Sequence, residues 1–547
     1  MLNVKDKVVY QIYPRSFMDS NGDGFGDLKG VTMKLDYLQK LGVDYLWLTP
    51  FFVSPQVDNG YDVADYRNID PRFGTMADFE ELAEEAKRRG MGIMLDMVFN
   101  HTSTEHDWFK RALSGDKEYM DYYIFKDSPS DMPPTNWESK FGGNAWEYVL
   151  ALGKWYLHLF DKKQADLNWE NPKVREELKE ILRFWKNKGV SGFRFDVVNL
   201  ISKADYENDN EGDGRSHYTD GPRVHEYLKE LVGDAGIEDM ITVGEMSSTS
   251  LDNCIRYSGE SEHELSMVFH FQHLKVDYRD GDKWSLMPAD LKALGKFFAD
   301  WQEGMQGANA WDALFWDNHD QPRALSRFGD DGKFRDKSAK LLAGMIHLMR
   351  GTPYIYQGDE IGMTNTHFHD ITRYRDVESK NYYEILQERG LSEEEAITVI
   401  DERSRDNGRT PMQWTADANA GFTAGTPWIE VVDNFGRINA ASQIEEENSI
   451  FSFYKELISL RKSHKIISDG TISFDRNMPE GIISYTREYE GKTLKVWGNM
   501  TENEIQAECK DGVDRGDILI ANYDDAPYTK DDRIALRPYE LVAVLDK

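Results

Sequence analysis

The strongest constraint in this sequence is a recurrence. Short apolar runs, each long enough for one strand, stop on polar or charged residues and alternate with helical segments. The clearest is GFRFDVVNL at 192–200, where a buried strand carries Arg194 and ends on Asp196. Alone, such a pair also reads as a structural ion pair at a strand end, because buried carboxylates are usually partnered. Further strands are expected at 7–14, 43–50, 92–100, 241–245, 266–272, 313–320 and 352–357, with helices near 31–41, 76–89 and 174–186. Alternating strands and helices imply a parallel sheet covered on both faces. Roughly eight such units is the number that closes a (β/α)8 TIM barrel, with the strand ends gathered at one face.

The rhythm breaks between 102 and 171, where the chain turns polar, aromatic and turn-rich. An insertion this long after a strand reads as a subdomain over the barrel mouth. From 473 onward short strands and turns replace the alternation. The predicted organisation is a first barrel segment at 1–101, an inserted subdomain at 102–171, a second barrel segment at 172–472 and a C-terminal all-β sandwich at 473–547. A chain of 547 residues is long enough to need several cores.

A net charge of -32 argues against nucleic acid and against anionic membrane as partners. No run approaches 18 apolar residues, and the first residues form no apolar signal segment. Cys254 and Cys509 lack metal-ligand spacing and make no disulfide framework, which fits the cytoplasm. A monomer acting on a small molecule is the expectation.

Three of the strands end on acids: Asp196, Glu245 and Asp320. Barrel closure brings such ends together. Two carboxyl groups flanking one bond suffice for glycoside hydrolysis, one attacking the anomeric carbon or activating water, the other protonating the leaving oxygen. Arg194 lies two residues before Asp196 and so faces the same side of the strand. It is expected to keep Asp196 ionised, as a nucleophile requires, while Glu245, with fewer charges nearby, holds its proton. His319 and Asp320 add a hydroxyl donor and a third carboxylate. Separately, DSNGDGFGD at 19–27 has the ligand rhythm of a calcium loop, with Asp19, Asn21, Asp23, the Phe25 carbonyl and Asp27 as ligands and Gly24 at the turn. Gly30 stands where an EF-hand has its bidentate Glu. A structural Ca2+ or Mg2+ is expected there, and no organic cofactor.

DMVFNHTS, GFRFDVVNL, VGEM and WDNHDQPR, in that order, resemble the four signature regions of the α-amylase superfamily of retaining glycosidases. The resemblance implies Asp196 as nucleophile, Glu245 as acid/base and Asp320 as transition-state stabiliser, with Arg194, His101 and His319 lining the subsite of the released sugar. DNGYD resembles the α-glucosidase subgroup, which implies Asp58 and Tyr61 as sugar contacts. RDNGRTPMQW resembles a segment whose Arg, here Arg409, pairs with the equivalent of Asp58 to close the pocket behind one glucose, hence exo action.

Val197 after the nucleophile resembles enzymes that cut α-1,6 or α-1,1 links. The segments after Glu245, after the sixth strand and at 212–225 resemble trehalose-6-phosphate hydrolases. The implied reaction is hydrolysis of trehalose 6-phosphate to glucose and glucose 6-phosphate, with oligo-1,6-glucosidase or dextran glucosidase as the alternative. A disaccharide-isomerising transglycosylase and a non-catalytic accessory barrel are further readings; the three acids weigh against the last. A phosphorylated substrate needs local cations in so acidic a chain. Lys275, Lys283 and Arg223 are the named candidates, with Arg215 and Lys203 in the same loops. Each is equally a solvated surface charge by default.

Overall fold

The computed structural model describes residues 3–210, 212–509, 517–525, 527–530 and 532–546. Eight strands form one parallel sheet: β1 (Val9–Ile12), β2 (Tyr45–Leu48), β3 (Gly92–Met97), β4 (Gly192–Phe195), β5 (Ile241–Met246), β6 (Met267–His270), β7 (Ala313–Leu314) and β8 (Thr352–Tyr356). The strands lie in the order β6-β5-β4-β3-β2-β1-β8-β7, and a single parallel bridge from Val268 to Asp312 joins the two ends. This is the near-closed TIM barrel the alternation calls for. The strands are short and mostly buried along their length because helices cover the outside and side chains fill the inside.

The covering helices follow their sequence signals. Asn171 caps Pro172–Asn187 by accepting from the Lys173 N–H, and Pro172 opens the first turn. Val174, Leu178, Ile181, Leu182 and Trp185, three or four apart, face the sheet. Thr75 and Asp78 form a capping box for Met76–Arg88. The helix expected at 31–41 is two helices, Leu28–Met33 and Leu35–Leu41, broken at Lys34. It starts early because Asp27 caps it through the Gly30 N–H.

Two strands are shorter than expected. β4 stops at Phe195 because Val197 turns into the left-handed region (φ 35°, ψ 40°). β7 keeps only two of the residues at 313–320. Beyond it, the Asp317 carboxylate accepts from the Ala324 N–H at 2.6 Å and the Asn318 side chain from the Asp320 N–H at 2.8 Å. Short polar side chains that capture local N–H groups in this way compete with a strand ladder.

Within 102–171, Phe125–Lys126, Lys154–Leu157 and Trp146–Val149 form a three-stranded antiparallel sheet, and Gln164–Asp166 pairs with His101–Ser103. The apolar cluster here is Trp137, Trp146, Trp155, Leu157 and Leu159, and it takes in Val197, Leu200 and Tyr218 from the loop after β4. The insertion is thereby packed against the nucleophile's loop. At the C-terminus a five-stranded and a three-stranded antiparallel sheet enclose Ile482, Trp497 and Val542 against Ala507, Ile534 and Leu536. Tyr485 and Arg487 tie this sandwich to the barrel by donating to the carbonyls of Met345 and Leu348, each at 2.7 Å. Among the described residues no helix is long and apolar enough to cross a membrane.

Candidate active site

Register assembles the site. Arg194 on β4 pairs with Asp96 on β3 and with Val243 on β5, so Glu245, two residues beyond Val243, faces the same way. The buried guanidinium takes all three acids. Nη1 donates to Asp96 at 2.6 Å and to Asp196 at 2.7 Å, and Nη2 contacts Glu245. Asp196 and Glu245 therefore stand at the same rim, on adjacent nitrogens of one fork. Asp96 is held in turn by Trp47 Nε1 at 3.2 Å and the Tyr61 hydroxyl at 2.9 Å.

This sharing corrects two expectations. Arg194 does not serve Asp196 alone, and Glu245 is not remote from charge. Burial is the largest influence on Asp196 and pushes its carboxyl up to about 7, against the pull of Arg194, with Asp96 and Asp320 adding to the rise. One cation divided among three carboxylates cannot offset the desolvation of each.

On the opposite side, His319 stacks on Tyr61 (centroids 5.2 Å apart, 7° between planes) and its Nδ1 meets Gln11 Nε2 at 2.7 Å. Burial pulls its imidazolium down to about 3. Burial would raise Asp320, but His319, Arg405 and Arg409 together hold it far below the usual carboxylate range. Arg409 Nη2 reaches Asp320 at 2.7 Å, not Asp58. The guanidinium that faces Asp58 belongs to Arg405, at 3.3 Å, and the pairing expected of Arg409 is corrected accordingly. Arg405 stands just before the helical turn Asp406–Arg409 and reaches past it, whereas Arg409 at the end of that turn points under His319, donating to its carbonyl at 2.8 Å. Asp376 anchors Arg405 at 2.6 Å. Burial pushes Asp58 up to about 7, with Arg405 opposing. Gln164 donates to Asp58 at 3.1 Å, and His101 sits beside it against the Tyr61 carbonyl at 3.1 Å, pulled down to about 4 by burial.

These groups surround a cavity of about 220 Å³ lined by Asp58, Tyr61, His101, Asp196, Glu245 and Asp320, with Lys140, Lys283, Glu378 and Arg405 also contributing. The expected phosphate contacts fare unequally. Lys283 is at the cavity but paired with Glu378 at 2.7 Å. Lys275 lies in the turn Gln272–Lys275 just after β6; it is half-buried and has no carboxylate partner among the described residues. Burial lowers its pKa, and Arg215 lowers it further. Arg223 does not reach the site: at the start of Val224–Asp234 it is tied to Glu170 and to Glu226. Lys203 is neutralised by Asp166 at 2.8 Å. Lys140, which the sequence reading missed, lines the cavity and donates to Ser247 Oγ at 3.1 Å. Burial pulls its ammonium down to about 7, with Arg215 and Lys275 pushing the same way. It had no strand end to mark it, and only the folding of the insertion over the rim brings it in.

The loop at 19–27 folds as a chain of side-chain turns. Asp19 accepts from the N–H groups of Asn21, Gly22 and Gly24, Asn21 from Asp23, and Asp23 from Phe25. Asp27 accepts from Ser20 and Gly30. Among the described residues no three His, Cys, Asp or Glu side chains gather as a metal-ion group. The donor set is nonetheless all oxygen, with Asn21 and Asp23 exposed, and it fits a hard cation such as Ca2+ or Mg2+ rather than a softer metal.

The α-amylase catalytic-domain family matches residues 11–470. The trehalose-6-phosphate hydrolase of Escherichia coli (strain K12) is 52% identical, over 99% of this chain and 98% of that protein. The oligo-1,6-glucosidase of Parageobacillus thermoglucosidasius is 48% identical, over 98% and 97%. The crystal structure of Bacillus licheniformis trehalose-6-phosphate hydrolase is similar with a TM-score of 0.95 at 51% identity, covering 100% of both chains. Barrel, site and full-length similarity lead to one conclusion: this chain belongs to the α-amylase family of glycoside hydrolases.

Proposed function

We propose that this glycoside hydrolase cleaves trehalose 6-phosphate to glucose and glucose 6-phosphate by double displacement with retention. The observation that carries this reading is Lys140, which lines the cavity, with Lys275 and Arg215 close enough to act on its charge, Arg215 itself being paired with Asp213 at 2.8 Å. Lys140 and Lys275 have no carboxylate partner among the described residues, and both feel Arg215. A chain of net charge -32 that keeps ammonium groups unpaired beside an acidic site is arranged to meet a localised anion. The named activity of the relatives at 52% and 51% identity supports the same substrate.

In this reading Asp196 attacks C1 of the non-reducing glucose. The C1–O bond breaks as the C1–Asp196 ester forms, and Glu245 gives its proton to the departing oxygen of glucose 6-phosphate. Water then donates a proton to Glu245 and its oxygen to C1, which releases Asp196. Asp320, kept ionised by Arg409 and Arg405, stabilises positive charge at the anomeric centre. Asp58 and Arg405 close the pocket behind one glucose. Relative kcat/KM on trehalose 6-phosphate, trehalose and isomaltose tests the proposal, and a preference for isomaltose would reject it. The oligo-1,6-glucosidase reading draws its support from the Lys283–Glu378 pair, which leaves one expected phosphate contact already neutralised.

The loop residues Asp19, Asn21, Asp23, Phe25 and Asp27 are proposed to take Ca2+ or Mg2+ in a structural role. A cytoplasmic location is proposed because a sugar phosphate does not cross a membrane unaided, and a monomer because exo action on a small sugar in a covered pocket needs no second subunit.

A further inference from the structure

β4 and β5 pair in register as far as Phe195 and Gly244. The ladder ends there because Val197 takes a left-handed conformation, which a β-branched residue rarely adopts. That turn carries Asn199 to the end of β5. Its Oδ1 accepts from the Ser247 N–H at 2.9 Å, and its Nδ2 donates to the Ser247 carbonyl at 2.9 Å. A side-chain amide thus replaces the peptide group the ladder has lost. Asn199 is 0% exposed. Its Nδ2 also donates to Asp220 Oδ1 at 3.1 Å. Asp220 is fixed by the Tyr257 hydroxyl and Asn253 Nδ2, both at 2.7 Å, and by Thr249 Oγ1 at 3.1 Å.

Ser247 lies two residues beyond Glu245, and Asn199 three beyond Asp196. We propose that Asn199 is a positioning residue for Glu245: it locks the end of β5 to the nucleophile's loop, and Asp220 holds its amide in the required orientation. Without that lock the strand end carrying Glu245 has no ladder partner on the β4 side. The inference rests on the reading of Glu245 as the proton donor and does not depend on which disaccharide is the substrate. Asn199→Asp keeps the acceptor for the Ser247 N–H but loses the donor to its carbonyl, and it sets a second carboxylate against Asp220.

The test compares kcat/KM on phenyl α-glucoside, whose leaving oxygen needs a proton, with 2,4-dinitrophenyl α-glucoside, whose leaving oxygen does not. General acid catalysis supplies about 10²–10⁴-fold, so a misplaced acid should cost Asn199→Ala and Asn199→Asp roughly tenfold or more on the phenyl glycoside and under about threefold on the dinitrophenyl one. A merely structural role would lower both alike, and equal losses would overturn the proposal. Should the Asn199 variants not fold, Asp220→Asn must show the same selectivity to a smaller degree; an unchanged ratio of the two substrates overturns it too. Glu245→Gln is measured alongside. If it lacks leaving-group selectivity, the assignment of the acid has failed and takes this inference with it. If it is selective and the Asn199 variants are not, the positioning role alone is wrong.

Discussion

Lys140→Met removes one ammonium from the cavity while keeping the length of the side chain. The lysine donates to the Ser247 hydroxyl and not to backbone, so Glu245 keeps its strand geometry. A hydrogen bond to a charged group contributes about 1.5–3 kcal/mol, and 1.4 kcal/mol is a factor of ten. KM for trehalose 6-phosphate should therefore rise about 10- to 150-fold, while a neutral aryl α-glucoside changes by less than about threefold. The pH dependence sharpens the test. Burial, with Arg215 and Lys275 beside it, pulls Lys140 down to about 7, so the free enzyme loses this charge as pH rises past that point. A bound dianion favours the protonated amine and raises its pKa, and by linkage the affinity must fall with rising pH. A sugar phosphate gains its second charge near pH 6, so the lowest KM is expected between about pH 6 and 7. In Lys140→Met the alkaline rise should flatten. Steady-state kinetics on both substrates across this range decide the matter. Equal KM changes for the charged and neutral substrates, or an alkaline limb that survives the substitution, would refute the reasoning.

Arg405→Ala leaves Asp58 and Asp376 buried without their main cation and should destabilise the protein by about 3–5 kcal/mol, read from urea unfolding. An unchanged midpoint would contradict the ion-pair geometry. Burial raises Asp58 and Asp196 to about 7 in the fold, so the native state binds more protons than the unfolded chain between their ordinary 3.8 and that value. Their contribution to stability should fall as pH rises through that window, and Asp58→Asn should flatten the slope. Because Asp196 must be ionised to attack, kcat/KM should climb with pH around a midpoint near 7; a limb centred below pH 5 would count against this. Ca2+ at a hundred times its dissociation constant should stabilise the fold by about 2.7 kcal/mol, seen as a higher Tm. The same rise in Asp23→Ala would remove the loop at 19–27 as the cause.

Much of this was legible in the chain itself. Helix limits such as Met76–Arg88 follow from a capping box and an apolar stripe, both local properties. The acids at 196, 245 and 320 stood out because a charged residue at the end of an apolar run costs energy that core packing alone does not explain. The pairing with Asp58 was given to Arg409 and belongs to Arg405, since four residues of spacing do not say which guanidinium turns toward Asp58. Arg223 looked like a cation at the catalytic face, yet Glu226 one turn along its own helix and Glu170, 53 residues earlier in the chain, both claim it.

The sequence by itself determined the alternation, and with it the parallel barrel and the shared rim, because periodicity and end-caps act over a few residues. It could not determine how one guanidinium is divided. That Arg194 is split among Asp96, Asp196 and Glu245 depends on the register of three neighbouring strands. That Lys140 arrives from the insertion depends on how the aromatic cluster packs on the loop after β4. Electrostatic balance in a desolvated site varies steeply with distance between groups far apart in the chain, and only the tertiary structure fixes those distances.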